Sequence, residues 1–263
     1  MLMTHPEQSL GYAAQSVAGR VRAHNEDAVL CCPELGLWAV ADGMGGHECG
    51  EVASALAVQT LRQVVSAAGD LEAAIHAANA AIVAAGQQVG GRSMGTTVVA
   101  VRFAGADFEL AWIGDSRAYR ISLDGIAQLT RDHSWVQAMI DAGELSAEEA
   151  RRHPRRNLVT QCLGQGELEL QVGRVQGSLA PGELLLLCSD GLTGELRDEQ
   201  IQQLCSSAAT LDELVEQLIG LAIQAGGKDN ISCIVLGRSA MESAEIDTKP
   251  RSFLRRLLNP RKQ

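Results

Sequence analysis

Three apolar runs in this chain stop on an aspartate. "LWAVADG" ends on Asp42, "LAWIGDS" on Asp115 and "LLLLCSDG" on Asp190. Each reads as a short strand closed by a polar turn. Two further runs begin on acids: "HNEDAVLCC" sets Glu26 and Asp27 ahead of one strand, and "GGKDNISCIVL" sets Asp229 ahead of another. Antiparallel pairing brings the start of one strand beside the end of its neighbour. Asp229 is therefore expected at the same sheet edge as Asp42 and Asp190. Any one of these aspartates, alone, reads as a common turn former. Five together resist that reading, because converging carboxylates repel and raise one another's pKa unless something positive sits among them. Hard divalent cations prefer such oxygen ligands and keep several waters. Two such ions about 3.5–4 Å apart suit hydrolysis of a phosphate ester. The glycines after Asp42 (Gly43, Gly45, Gly46 and Gly50) let the backbone approach closely, and the Gly43 carbonyl is itself a candidate ligand.

The rest of the chain supplies sheets and helices around those acids. "ECGEVASALAVQTLRQVVSAA" (48–68) and "DLEAAIHAANAAIVAAGQQ" (70–88) are Ala-rich with helical apolar spacing, and predict a helical hairpin. Residues 96–103, 107–114 and 116–123 are short β-branched or alternating runs, and predict an antiparallel meander. Residues 131–166 are polar and loop-like, with a capping-box pattern at Ser146 and Glu149, and read as an inserted flap. Strand signals follow at 168–175 and 182–190. A helix over 210–227, with Thr210 and Glu213 as a second capping box, precedes a last strand at 230–237. No fixed-period repeat and no second-domain boundary is visible, so a single α+β domain is expected.

Composition narrows the function classes. The 263-residue chain carries a net charge of −10, which argues against nonspecific nucleic-acid binding. Residues 249–262 hold six cationic side chains and no acid, so removing them leaves the remainder at −16. Seven cysteines form no C-x-x-C pair and several sit in apolar runs. That favours reduced, buried thiols in a cytoplasmic protein over zinc ligation or a disulfide framework. No run approaches the roughly 20 apolar residues of a membrane-spanning helix, and the first residues lack a signal-peptide pattern.

"RAHNED", "VADGMGGH", "MGTT", "IGDSRAYR", "LTRDHSWV", "LLLLCSDGL" and "GGKDNISCIV" occur here in the order found in PP2C-type (PPM) metal-dependent serine/threonine phosphatases, and the chain resembles the compact bacterial kind. The resemblance runs from about residue 10 to 237. It implies a four-layer αββα sandwich of two antiparallel β-sheets flanked by helices, with a two-metal centre at one end. By that likeness Asp42 bridges two Mn2+ or Mg2+ ions, the Gly43 carbonyl binds one, and Asp27, Asp190 and Asp229 complete the ligands directly or through water. A third ion would use Asp115 and Asp190. A water or hydroxide bridging the ions attacks phosphorus with no phosphoenzyme. Arg22 matches the arginine that holds the substrate phosphate, against a bland reading as a solvated surface side chain. Glu26 orients a metal-bound water rather than binding metal. Where many eukaryotic relatives carry a histidine two residues after the bridging aspartate, this chain has Met44; its histidine is His47. His47 either protonates the leaving seryl oxygen or holds a supporting hydrogen bond. His24 and His133 are read as structural.

The resemblance gives residues 1–9 as an N-terminal extension, 10–238 as the phosphatase domain with its flap at 132–165, and 239–263 as a polar, then basic tail. Phosphorylated proteins and a bacterial Ser/Thr kinase are the expected counterparts of a monomeric enzyme. "RRHPRR" (151–156) is either a surface for acidic phosphopeptides or a solvated face. The tail segment "SFLRRLL" is read as a disordered basic tail, with docking on a partner or an anionic membrane as the alternative. Two rival functions are a metal-dependent nuclease or other phosphohydrolase, and a catalytically dead scaffold on the same fold.

Overall fold

The computed structural model describes residues 10–45, 49–88, 94–166 and 169–238. Its strands form two antiparallel sheets. One has the order β1-β11-β10-β7-β8: Leu10–Val17, Ile231–Arg238, Leu184–Cys188, Arg117–Ile121 and Ile126–Gln128. The other has the order β2-β3-β5-β6-β9: Asp27–Cys32, Leu37–Gly45, Val98–Ala104, Asp107–Ile113 and Gly173–Ser178. The short β4 (Met94–Thr96) pairs with the end of β3.

The period-2 alternation of side chains explains why the central strands read as unbroken apolar runs. In β10, Leu185 and Leu187 point between the two sheets, while Leu184, Leu186 and Cys188 point outward under helices. In β3, Trp38 and Val40 point between the sheets, while Leu37, Ala39 and Ala41 face helices on the other side. Both faces of each sheet are thus covered. Helices α1 (Cys49–Ser66) and α2 (Leu71–Gln88) cover the second sheet with small residues such as Ala53, Ala57, Ala74 and Ala78. Helices α6 (Asp198–Ser207) and α7 (Leu211–Ala225) cover the first. The result is the expected αββα sandwich.

Four details differ from expectation. The meander is broken: β5 and β6 form a hairpin, but the chain then crosses at Gly114–Ser116 into the other sheet, where β7 pairs with β10 and β8. Gly114 takes φ +104° against the Thr97 side chain, a turn closed to residues with a Cβ. Of the run 168–175, described from residue 169, strand begins at Gly173, opposite Trp112. Helix α6 went unread because "DEQIQQLCSS" is mostly polar and buries only Ile201 and Cys205. The Thr210 cap is half of a box: its side chain accepts from Glu213 N–H, but the Glu213 carboxylate reaches back to Ala209 N–H. At Ser146 the full box forms.

The flap carries α3 (Trp135–Asp141) and α4 (Ala147–Arg152). It is tied to the sandwich by a bridge of Leu163 to Thr96, and its own two ends are joined by a bridge of Val159 to Ser134. The single helical turn α5 (Asp190–Thr193) follows β10 directly. Among the described residues all seven cysteines are free, six of them buried, and no helix is long and apolar enough to cross a membrane. Residues 1–9 and the tail 239–263 lie outside the described residues.

Candidate metal centre

Strand register places the acids. Asp27 opens β2 directly opposite Asp42 near the end of β3. Asp190 follows β10 and Asp229 precedes β11, and these two strands are paired neighbours in the facing sheet. Asp115 sits on the segment that crosses between the sheets. All five therefore gather at one end of the seam between the sheets.

Close backbone packing holds this end together. Gly43 N–H donates to the Glu26 carbonyl, and a Cβ on Gly43 would strike the carbonyls of Gly50 and Glu26. The start of α1 can thus press against the Asp42 turn only because Gly43 and Gly50 are glycines. Ser54 Oγ, one turn into α1, also donates to the Glu26 carbonyl at 2.6 Å. Glu26 N–H in turn donates to Asn230 Oδ1 at 2.8 Å.

The backbone of Asp42 is pinned by "MGTT". Thr96 Oγ1 and Thr97 N–H both donate to the Asp42 carbonyl at 2.9 Å, and Asp42 N–H donates to Thr97 Oγ1. Thr97 Oγ1 also lies 2.7 Å from Ser116 Oγ, the residue after Asp115. These hydroxyls escaped sequence reasoning, although the motif that contains them was visible.

The electrostatics of the cluster are those of buried carboxylates only partly offset by arginines. Burial, then Asp27, Asp190, Asp115 and Asp229 in turn, raise the Asp42 carboxyl well above its usual range. Burial and Asp190 do the same to Asp115. Asp190 is raised by burial and Asp229, with partial relief from a hydrogen bond between its carboxyl and that of Asp42. Asp27 is pushed up to about 7, chiefly by burial, despite two serine hydrogen bonds. Arg22 Nη2 bonds Asp229 Oδ2 at 2.7 Å from an exposed position, leaving its other N–H groups free to face a ligand.

These residues suit hard divalent ions. The donors are all oxygen, the repulsion among them needs positive charge, and Asp27 Oδ1 is buried with no hydrogen-bond partner among the described residues. Among the described residues no three acidic, histidine or cysteine side chains close on one point as a cage. An ion that keeps several waters and takes one or two carboxylates needs no such cage. A cleft of 390 Å3 opens beside the cluster, with Asp115 and Asp190 on its floor and Ala147, Arg151 and Arg156 of the flap on its wall.

Other sequence-selected residues have defined places. His133 Nδ1 accepts from Gly114 N–H at 3.2 Å, and its ring stacks on Trp112. Burial lowers its pKa, so it is a neutral prop for the crossing segment. The carbonyl of His24 accepts from Asn230 Nδ2. His47 lies outside the described residues. In "RRHPRR", Arg151 donates to the Thr193 and Leu196 carbonyls, Arg152 pairs with Glu148, and Arg155 lies over Trp135. That segment is largely engaged within the chain.

A two-sheet sandwich with an aspartate cluster at one end of its seam defines a class of metal-dependent hydrolase fold. Residues 18–228 match the protein phosphatase 2C family, and the chain belongs to it. Serine/threonine protein phosphatase PstP of Mycobacterium tuberculosis is 40% identical over 236 residues, a match that takes in 86% of this chain. This chain spans only 44% of that relative's length. Serine/threonine phosphatase stp of Listeria innocua is 36% identical, covering 85% of this chain and 94% of its own. The catalytic domain of PstP in complex with two manganese ions superposes with a TM-score of 0.77 at 38% identity, over 88% of this chain and 99% of that one.

Proposed function

We propose that this protein removes phosphate from phosphoserine and phosphothreonine residues of proteins, using two Mn2+ or Mg2+ ions. The observation that carries this reading is the cluster of Asp27, Asp42, Asp115, Asp190 and Asp229 at the sheet seam, in which burial and neighbouring carboxylates raise the first four. Asp42 would hold both ions, Asp27, Asp190, Asp229 and the Gly43 carbonyl would complete their protein ligands, and Asp115 with Asp190 would serve a third ion. When bound, the ions supply Lewis acidity and lower the pKa of water enough for direct attack on phosphorus. That accounts for a site built without a serine or cysteine nucleophile.

The chain's own groups do the rest. Arg22 grips the phosphoryl oxygens with the donors it does not spend on Asp229. Glu26, held through its backbone by Asn230, Gly43 and Ser54, orients water at the site's edge. His47 protonates the leaving seryl oxygen or supports a neighbour that does. The flap wall of the cleft selects the protein substrate. The enzyme works as a cytoplasmic monomer opposite a Ser/Thr kinase, with domain limits at residues 10 and 238 and a basic tail beyond.

Purified protein with Mn2+ should hydrolyse p-nitrophenyl phosphate and phosphothreonine peptides. Chelator should abolish this, and okadaic-acid-type inhibitors should not. Lack of turnover with excess Mn2+, together with no effect of Asp42→Ala or Asp190→Ala, would overturn the reading. Metal binding without turnover would point instead to a scaffold.

A further inference from the structure

The two oxygens of Asp27 are treated differently. Oδ2 accepts from Ser189 Oγ at 2.8 Å and from Ser232 Oγ at 2.6 Å. Oδ1 is buried and has no hydrogen-bond partner among the described residues. The serines flank the metal-centre motifs of the facing sheet: Ser189 precedes Asp190, and Ser232 is the second residue of β11, after Asp229, Asn230 and Ile231. They are themselves linked, since Ser232 N–H donates to Ser189 Oγ at 3.0 Å.

Proton counting fixes the direction of these bonds. A hydroxyl has one proton to give. Ser232 Oγ lies 2.7 Å from Ser16 Oγ as well as 2.6 Å from Asp27 Oδ2. When Asp27 is ionised it only accepts, so Ser232 gives its proton to Asp27 and the Ser16 hydroxyl turns its own proton toward Ser232, in place of the bond Ser232 otherwise donates to Ser16. Ser16 then accepts from Asn25 Nδ2 at 2.7 Å. Asn25 Oδ1 accepts from Asp27 N–H at 3.2 Å. The bonds run one way round a closed ring, from Asn25 through Ser16 and Ser232 to Asp27 Oδ2, and back to Asn25 from the Asp27 backbone.

We propose that Asn25, Ser16 and Ser232, as a one-way donor ring, together with Ser189 as a second donor beside it, reserve Oδ2 of Asp27 and present Oδ1 alone to a divalent ion. They are positioning residues: they touch neither substrate nor ion, and they set how tightly one ion is held. The inference rests on the two-metal reading given above. Partners behind a ligating group typically change metal affinity ten- to a hundredfold when removed.

The test is Mn2+ binding to the full chain by isothermal titration calorimetry, with free Mn2+ read in parallel by electron paramagnetic resonance. Ser232→Ala and Ser189→Ala should each weaken one Mn2+ site by about ten- to a hundredfold. Ser16→Ala, one bond further back, should weaken it less, and Ser232→Thr, which keeps the hydroxyl, should restore it. The Mn2+ concentration for half-maximal hydrolysis should rise in the same order. Unchanged Mn2+ affinity in folded Ser→Ala variants, with only a lowered Tm in chelator, would show a merely structural role and overturn the ring. If Ser232→Ala fails to fold, the half-buried Ser16→Ala carries the same comparison. Wild-type protein that binds no Mn2+ would sink the metal-centre reading instead.

Discussion

Two groups of buried charge lie side by side in this molecule and are handled in opposite ways. Asp132, at the start of the flap, is satisfied outright. Arg117 Nε and Nη2 clasp its carboxylate at 2.7–3.0 Å, Gln128 Nε2 donates at 2.9 Å, and Arg117 Nη1 is itself tied to Tyr119 Oη. Asp115, only two residues from Arg117, belongs to the other group, where the direct ion pair is that of exposed Arg22 with Asp229 at the rim, and Arg117 gives Asp115 and Asp190 only partial relief. The fold could place a cation beside a buried acid and did so for Asp132. The deficit at the seam is therefore a property of the site, and the contrast separates an ion pair that holds structure from a cluster that awaits a ligand.

The comparison breaks first on activity. Asp42→Asn should lower kcat/KM for p-nitrophenyl phosphate with Mn2+ by a factor of about 1,000 or more, the scale expected when a catalytic electrostatic group is lost. The same substitution should leave Tm in chelator unchanged or higher, because a repelling charge is gone. Asp132→Ala should act with the opposite sign on stability. It strands Arg117 and should cost about 3 kcal/mol, roughly 10 °C in Tm by thermal melt. If both variants destabilise alike, the contrast is false.

Arg22 sharpens it next. Arg22→Ala should reduce kcat/KM about ten- to a hundredfold, the scale of a charged hydrogen bond, and Arg22→Lys should recover little of it. Steady-state kinetics at saturating Mn2+ would check both.

The smallest effect is on pH. Asp27 is raised to about 7 in the folded chain and has an ordinary carboxylate pKa unfolded. Between those values the folded state binds more protons, so stability falls as pH rises. In chelator, Tm should drop by about 5 °C between pH 5 and pH 7.5 on this account. Excess Mn2+ should cancel the drop, since the ion replaces the proton and binds better as pH rises. A flat melt profile in chelator would show that the cluster carries no strain.

Much of this was legible because the signals were local. Helices α1, α2 and α7 announce themselves through apolar spacing and alanine content, and the aspartates through their place at strand ends. What failed was non-local. Nothing in "LAWIGDSRAYR" says that the chain leaves one sheet at Gly114 and enters the other at Arg117, because a hairpin and a crossing demand the same strand pattern. Helix α6 is thin in apolar residues because it covers only the rim of the core at Ile201 and Cys205. At the site, the acids stood out as repeated strand-end aspartates. Thr96, Thr97, Ser116, Ser189 and Ser232 did not, because a small hydroxyl beside a strand end has many uses. Only the register of Ser232 on β11 and the placement of Ser189 just beyond β10 show that they converge on Asp27.

The position of the cluster has a consequence for how the enzyme would fail. Asp27 and Asp42 belong to one sheet, Asp190 and Asp229 to the other, and Asp115 to the segment that joins them. The centre exists only while the two sheets keep their alignment. It is thus a gauge of that alignment, and a sliding of the sheets too small to melt either would still pull the centre apart. On gentle heating or in mild denaturant, turnover should vanish while the helices and strands remain.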